Sequence, residues 1–156
     1  MWYNRKWKGC DDMASIFDVA KYVLEKQGPM STWKLEKLCY YAQAWTLAWT
    51  EKELFPEEFE AWKNGPVCPE LFAAHKGLFV VGKDSIRRGD AGHLTDEQRE
   101  NVDAVLEHYG SWEPHELREK THAEGPWKTT RDGLPETAPS NRVISKAAMG
   151  LYYGGL

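Results

Sequence analysis

From Met30 to Trp49 the chain runs without Gly or Pro and carries a strong apolar pattern. An α-helix turns about 100° per residue. On that wheel Leu35, Leu38, Cys39, Ala42, Trp45, Thr46 and Trp49 share one arc. Trp33, Tyr40, Ala44 and Leu47 share the opposite arc, flanked by Lys37 and Tyr41. A surface helix has a single apolar stripe. Two stripes require a helix enclosed at the centre of a fold, or one that offers its second face to a partner.

The flanking segments supply what such a helix would pack against. Ser15 and Asp18 form a capping-box pair ahead of Ile16, Val19, Ala20, Val23 and Leu24, and Gly28-Pro29 ends that helix. Ser31 caps the central helix. Phe59, Ala61 and Lys63 alternate with Glu60 and Trp62, and Asn64-Gly65-Pro66 is a turn signal. This predicts a short strand near 58–63 and a second extended piece at Val67. Pro69 starts a helix running to Gly77, and residues 82–94 read as a polar loop. Thr95 and Gln98 form a second capping box, followed by Val102, Val105, Leu106 and Tyr109. Pro114 opens the next helix, with Leu117 and Thr121 inward, and Gly125-Pro126 breaks it ahead of a short turn towards Arg131. Residues 132–140 form a loop, Val143-Ile144 extends the sheet, and Ser145 caps a last helix. The fold class is α+β and predominantly α-helical: a single domain of about five to seven helices around a central helix (31–49), with a small β element near 58–68. Residues 1–12 differ in composition and read as an N-terminal extension ahead of a domain at 13–156.

Chemistry is harder to find. Cys10, Cys39 and Cys68 are far apart and odd in number, which fits free thiols in a reducing compartment. With no signal peptide and no run of about 20 apolar residues, the expected location is cytoplasmic, with no membrane partner. A net charge of −4 with mixed signs argues against general nucleic-acid affinity. No spacing suits a metal: His122-Ala-Glu124 resembles half of a zinc-deaminase signature, but no Cys follows it. There is no nucleophile elbow and no phosphate-cradling glycine loop, so neither catalysis nor a cofactor is implied. A small hydrolase using His122 and Glu124, and a small DNA-binding regulator built on the 15–49 helix pair, remain as alternatives. Eight Trp is the outlying count. About two thirds are assigned to the core, and the surplus suits an interface.

Met30-Ser31, Lys34-Leu35, Lys37-Leu38 and Tyr40-Tyr41-Ala42-Gln43 then acquire a family meaning. With Phe59, Ala61-Trp62, Gly65-Pro66-Val67, Pro69-Glu70-Leu71, Thr121-His122, Pro126-Trp127, Met149 and Tyr152-Tyr153, they resemble the Panacea antitoxin domain of SocA-like and phage-associated GepA-like proteins. The resemblance covers residues 13–156. It implies an antitoxin of a type II toxin–antitoxin system, of phage or prophage lineage, that neutralises a cognate toxin by direct binding. In a SocA-like variant the antitoxin is an adaptor delivering the toxin to a protease, so a protease or chaperone system is a second implied partner. Residues 1–12 lie outside the pattern, and Cys39 and Cys68 stand where aliphatic residues are expected. The residues expected at the partner contact are Trp33, Lys34, Lys37, Tyr40 and Tyr41, with Asn64, Gly65 and Pro66 beside them.

Overall fold

The computed structural model describes residues 13–156; residues 1–12, and with them the expected extension and Cys10, lie outside the described residues. The order is α1 (Ile16–Gln27), β1 (Met30–Ser31), α2 (Thr32–Thr50), β2 (Phe59–Trp62), β3 (Gly65–Val67), α3 (Pro69–His75), β4 (Val80–Val81), a 3-10 turn (Ala91–His93), α4 (Asp96–Tyr109), α5 (Pro114–Ala123), α6 (Gly125–Arg131), β5 (Val143–Ile144) and α7 (Lys146–Gly154). The class is α+β and mostly helical, as the periodicities indicate.

Local chemistry sets the helix ends. In α1 the Ser15 hydroxyl accepts from the Asp18 N–H and the Asp18 carboxylate accepts from the Ser15 N–H. Thr95 and Gln98 repeat the exchange in α4. Each pair satisfies donors that a helix N-terminus leaves free. Gly28, at φ 81°, ends α1. Ser31 belongs to β1 and also caps α2, accepting from the Lys34 N–H at 3.1 Å. Ser145 caps α7 in the same way.

Helix α2 is the axis of the molecule. It packs most extensively on α7 and α4, and also against α1, α5 and β3. From Leu35 to Ala44 every residue of α2 is buried, whichever way it points. The two-stripe pattern therefore describes an enclosed helix. Gln43 on this helix holds the 51–58 connection, donating to the Phe55 carbonyl and accepting from the Leu54 N–H, both at 2.7 Å. A buried amide bonded through both its oxygen and its nitrogen fixes the register of that connection while satisfying itself.

The sheet order is β3-β2-β5, with both pairings antiparallel. Trp62 faces Gly65 across a tight turn, and Pro66 sits on the edge strand, where its missing N–H does no harm. Phe59 and Ala61 point into the core. Arg131, buried at the end of α6, donates to the carbonyls of Ala61, Pro135 and Ala138, and so fastens the 132–140 loop to the sheet.

Three expectations need correction. Met30–Ser31 pairs with Val80–Val81 in a small second sheet, and a 3-10 turn interrupts the 82–94 loop. The tryptophans are not mainly core: of those at 33, 45, 49, 62, 112 and 127, Trp127 alone is fully buried among the described residues. Trp45 and Trp49, placed on the core arc by the wheel, are half-buried and exposed, because the C-terminal turns of α2 outrun their cover.

Candidate functional site

The N-terminal end of α2 is where the enclosure opens. The Ser31 cap starts the helix so that Trp33 faces outward, and Lys37, four residues on, lies on the same side one turn deeper. Trp33 is exposed and Lys34 half-exposed. Lys37 is 1% exposed: its stem runs inward to the β2–β3 turn, where Nζ donates to the Pro66 carbonyl at 3.2 Å and stands 5.4 Å from the Trp33 ring centroid. Burial holds its ammonium down at a pKa of about 8. The turn is shaped around this side chain. Gly65 sits at φ 113°, and a Cβ there would run into Lys37 Cε. Pro66 and Gly65 are buried, and Asn64 is half-exposed at the mouth.

Helix α5 forms the facing wall. Trp33, Lys37, Asn64, Pro114, His115 and Arg118 line a pocket of about 280 Å³. Arg118 Nε lies 3.4 Å from Asn64 Oδ1. Arg118 and His115 were not among the residues expected at a contact. Their spacing on α5 is ordinary for a solvated helix face, and nothing local connects them to Trp33.

Tyr40 and Tyr41 belong elsewhere. Both are fully buried; of the residues expected at a contact Lys37, Gly65 and Pro66 are buried too, but Lys37 lines the pocket beneath Trp33. Tyr41 stacks on Tyr109 with ring centroids 4.1 Å apart, and its hydroxyl donates to Glu124 Oε1 at 2.7 Å. The Tyr153 hydroxyl donates to the same oxygen at 2.8 Å, and Tyr40 and Tyr153 share a hydrogen bond at 3.3 Å. Glu124 reaches this position because it ends α5 and starts α6 in one extended step, turning its side chain inward. Burial raises its carboxyl above the usual range and raises all three phenols.

A second apolar cluster adjoins the entrance of α2. Leu78, Phe79 and Val80 are exposed, Phe79 at 86%. The Phe79 carbonyl accepts from the Thr32 N–H at 3.0 Å, and Val80 faces Ser31 in the β1–β4 pair. The 78–80 segment is thereby fixed one residue from Trp33. The opposite end of α2 carries a separate apolar groove of about 260 Å³ between Trp45, Trp49, Val105 and His108.

A family model described as Antitoxin SocA-like, Panacea domain, matches residues 35–128. The chain belongs to that antitoxin family. No curated protein and no solved structure matches it. The matched part of this Panacea domain runs from the second turn of α2 into α6, and so takes in Lys37, the Gly65-Pro66 turn, Phe79 and Arg118.

His122 and Glu124 do not form a pair in this Panacea domain. The His122 ring stacks on Trp127 at 3.7 Å, and its Nδ1 lies 4.0 Å from Glu136. Burial, with the charges of Arg118, Lys37 and Arg131, lowers its pKa to about 4, so it is neutral near pH 7. Glu124 is committed to tyrosines in the core. Nor does α2 present a basic face to nucleic acid, since Lys37 is buried and Lys34 is its one partly exposed cation. Cys39 and Cys68 are buried free thiols. Among the described residues no helix is long and apolar enough to cross a membrane, and no His/Cys/Asp/Glu group is arranged to hold a metal.

Proposed function

We propose that this Panacea domain is the antitoxin of a type II pair and neutralises a cognate toxin by direct protein–protein binding in the cytoplasm. The toxin would seat on the N-terminal end of α2, over Trp33 and the Leu78-Phe79-Val80 segment, with Lys34 and Asn64 at the rim. The observation that carries this reading is the exposed aromatic and aliphatic group that Thr32 and Ser31 fix beside Trp33. Large apolar side chains held rigid at a surface, beside polar rim residues, have the composition of interface hot spots. Phe79 makes the case most sharply: an 86%-exposed Phe on a segment anchored to a helix N-terminus gains nothing for the free chain.

Family membership supports the antitoxin role, and the buried surroundings of His122 and Glu124 favour a binder over a hydrolase. The test is co-expression with the product of the reading frame beside this gene, first scored for toxicity when expressed alone. Wild type is expected to restore growth and co-purify with the toxin. A Trp33→Ala/Phe79→Ser double variant, folded by circular dichroism, is expected to lose both. Full rescue and undiminished co-purification by that variant would remove this face from the interface.

A further inference from the structure

The pocket below Trp33 is lined by two cations and, among the described residues, by no acid; the nearby Glu36 acts on Lys37 only through space. Lys37 Nζ has three N–H donors and, among the described residues, one acceptor, the Pro66 carbonyl. Among the described residues Arg118 has one side-chain hydrogen bond, from Nε to Asn64 at a long 3.4 Å, which leaves the two ends of its guanidinium fork without an acceptor there. Among the described residues no carboxylate lies within ion-pair distance of either, although Glu36 is the sequence neighbour of Lys37. The Glu36 carboxylate is already taken, accepting from the Cys68 N–H at 2.9 Å and lying 2.7 Å from His75 Nε2. The remaining lining residues, Trp33, Asn64, Pro114 and His115, include no acid.

A charge removed from water without a partner disfavours the fold, and proteins ordinarily avoid it. Here the fold is shaped to keep the charge in place: Gly65 gives up its side chain where Lys37 Cε passes. We propose that this pocket receives a single carboxylate from the protein partner, an Asp or Glu side chain of the toxin, clamped between Lys37 and Arg118 beneath the Trp33 ring. This rests on the reading of the chain as a toxin binder and names the chemistry of its central contact. The pocket volume of about 280 Å³ is below the range of small-molecule sites and suits one acidic side chain. Arg118 supplies the fork geometry that a carboxylate matches, and Lys37 the point charge. The net charge of −4 opposes a polyanion, so a nucleic-acid phosphate is the weaker match.

The test needs no toxin. Isotope-labelled protein is titrated with N-acetyl-glutamyl-leucine amide, with its glutaminyl counterpart, and separately with inorganic phosphate and adenosine monophosphate. The glutamyl peptide is expected to shift the Trp33 indole N–H and the Arg118 Nε–H at millimolar concentration, at least tenfold more tightly than the glutaminyl peptide. Arg118→Gln is expected to abolish that preference with the fold unchanged, and Lys37→Met to do the same. Equal response to both peptides, no response, or tighter binding of either phosphate would overturn the proposal. Co-expression separates the two levels. A toxin still neutralised by Arg118→Gln and Lys37→Met would discard the carboxylate contact and leave the antitoxin reading standing. A pocket that prefers the glutamyl peptide in a protein that rescues no toxin would discard the toxin as its source.

Discussion

Around Tyr41 each buried phenol and carboxylate has found a partner, whereas at Lys37, one turn earlier on the same helix, a buried cation keeps most of its donors unused. Tyr40, Tyr41, Tyr153 and Glu124 bond to one another, and Lys120 lies 3.8 Å from the remaining Glu124 oxygen. Such a closed network fixes α2 against α7 and the α5–α6 corner and asks nothing of solvent or partner. Lys37, equally buried, lines a pocket that is open on one side and, among the described residues, carries no acid. Two polar sites on one helix are thus distinguished by satisfaction and not by burial. The complete one serves the fold, and the incomplete one is where a second molecule would lower the free energy.

The largest expected effect belongs to the complete site. Tyr41→Ala removes a fully buried ring stacked on Tyr109 and leaves Glu124 with one phenol donor, and should destabilise by about 3–5 kcal/mol in denaturant titration. A loss under about 1 kcal/mol would mean that the network is not a unit. Gly65→Ala comes next, at about 2–3 kcal/mol, because it combines a positive φ with a collision against Lys37. It should also disturb the Trp33 indole resonance, since Lys37 would have to move.

Lys37→Met should act with the opposite sign. Burial lowers the lysine to a pKa of about 8, against 10.5 when unfolded. Below pH 8 the native state carries the whole penalty of the buried charge. Between about pH 8 and 10.5 the unfolded chain binds more protons, so stability should climb with pH by up to about 3 kcal/mol. The methionine variant removes that penalty together with the Pro66 hydrogen bond, for a net gain of about 1–2 kcal/mol at pH 7. The measurement is the wild-type minus variant difference from pH 7 to 10, which cancels the tyrosines. A flat difference would show that Lys37 is hydrated and not starved of partners.

How much of this was readable beforehand follows from the range of each interaction. The caps at Ser15, Ser31, Thr95 and Ser145 act within three residues, and the Asn64-Gly65-Pro66 turn is local too, so all were legible. The Met30–Val81 pairing joins two-residue strands that have no period to detect. The fates of Tyr40 and Tyr41 depended on a carboxylate at position 124 and a hydroxyl at 153, which no wheel displays. The wheel did place Trp33 and Lys37 together on the second face. It could not supply Arg118, because α5 approaches that face only in the folded chain, nor could it show that Lys37 points inward. Phe79 carried no signal beyond its own apolarity. Its exposure emerges only once β4 is seen pinned to β1.

Trp33→Ala and Phe79→Ser should change stability least and function most. The Trp33 ring is partly exposed, and among the described residues its one ring contact is with Lys37, a cation–π contact of about 0.5–1 kcal/mol. Thermal melting should therefore fall by only a few degrees. As an interface anchor, the same ring would be expected to account for about 2 kcal/mol or more of binding, a loss of roughly thirtyfold or greater in toxin affinity by calorimetry. Phe79→Ser, more exposed still, should leave the melt unmoved and weaken binding similarly. The ratio of the two effects is what separates the ends of the comparison. At Tyr41 loss of fold accounts for any loss of binding, whereas at Trp33 binding must fall while the fold holds. If Trp33→Ala lost stability and affinity in the same proportion as Tyr41→Ala, the incomplete site would be structural after all, and the distinction between the two clusters would collapse.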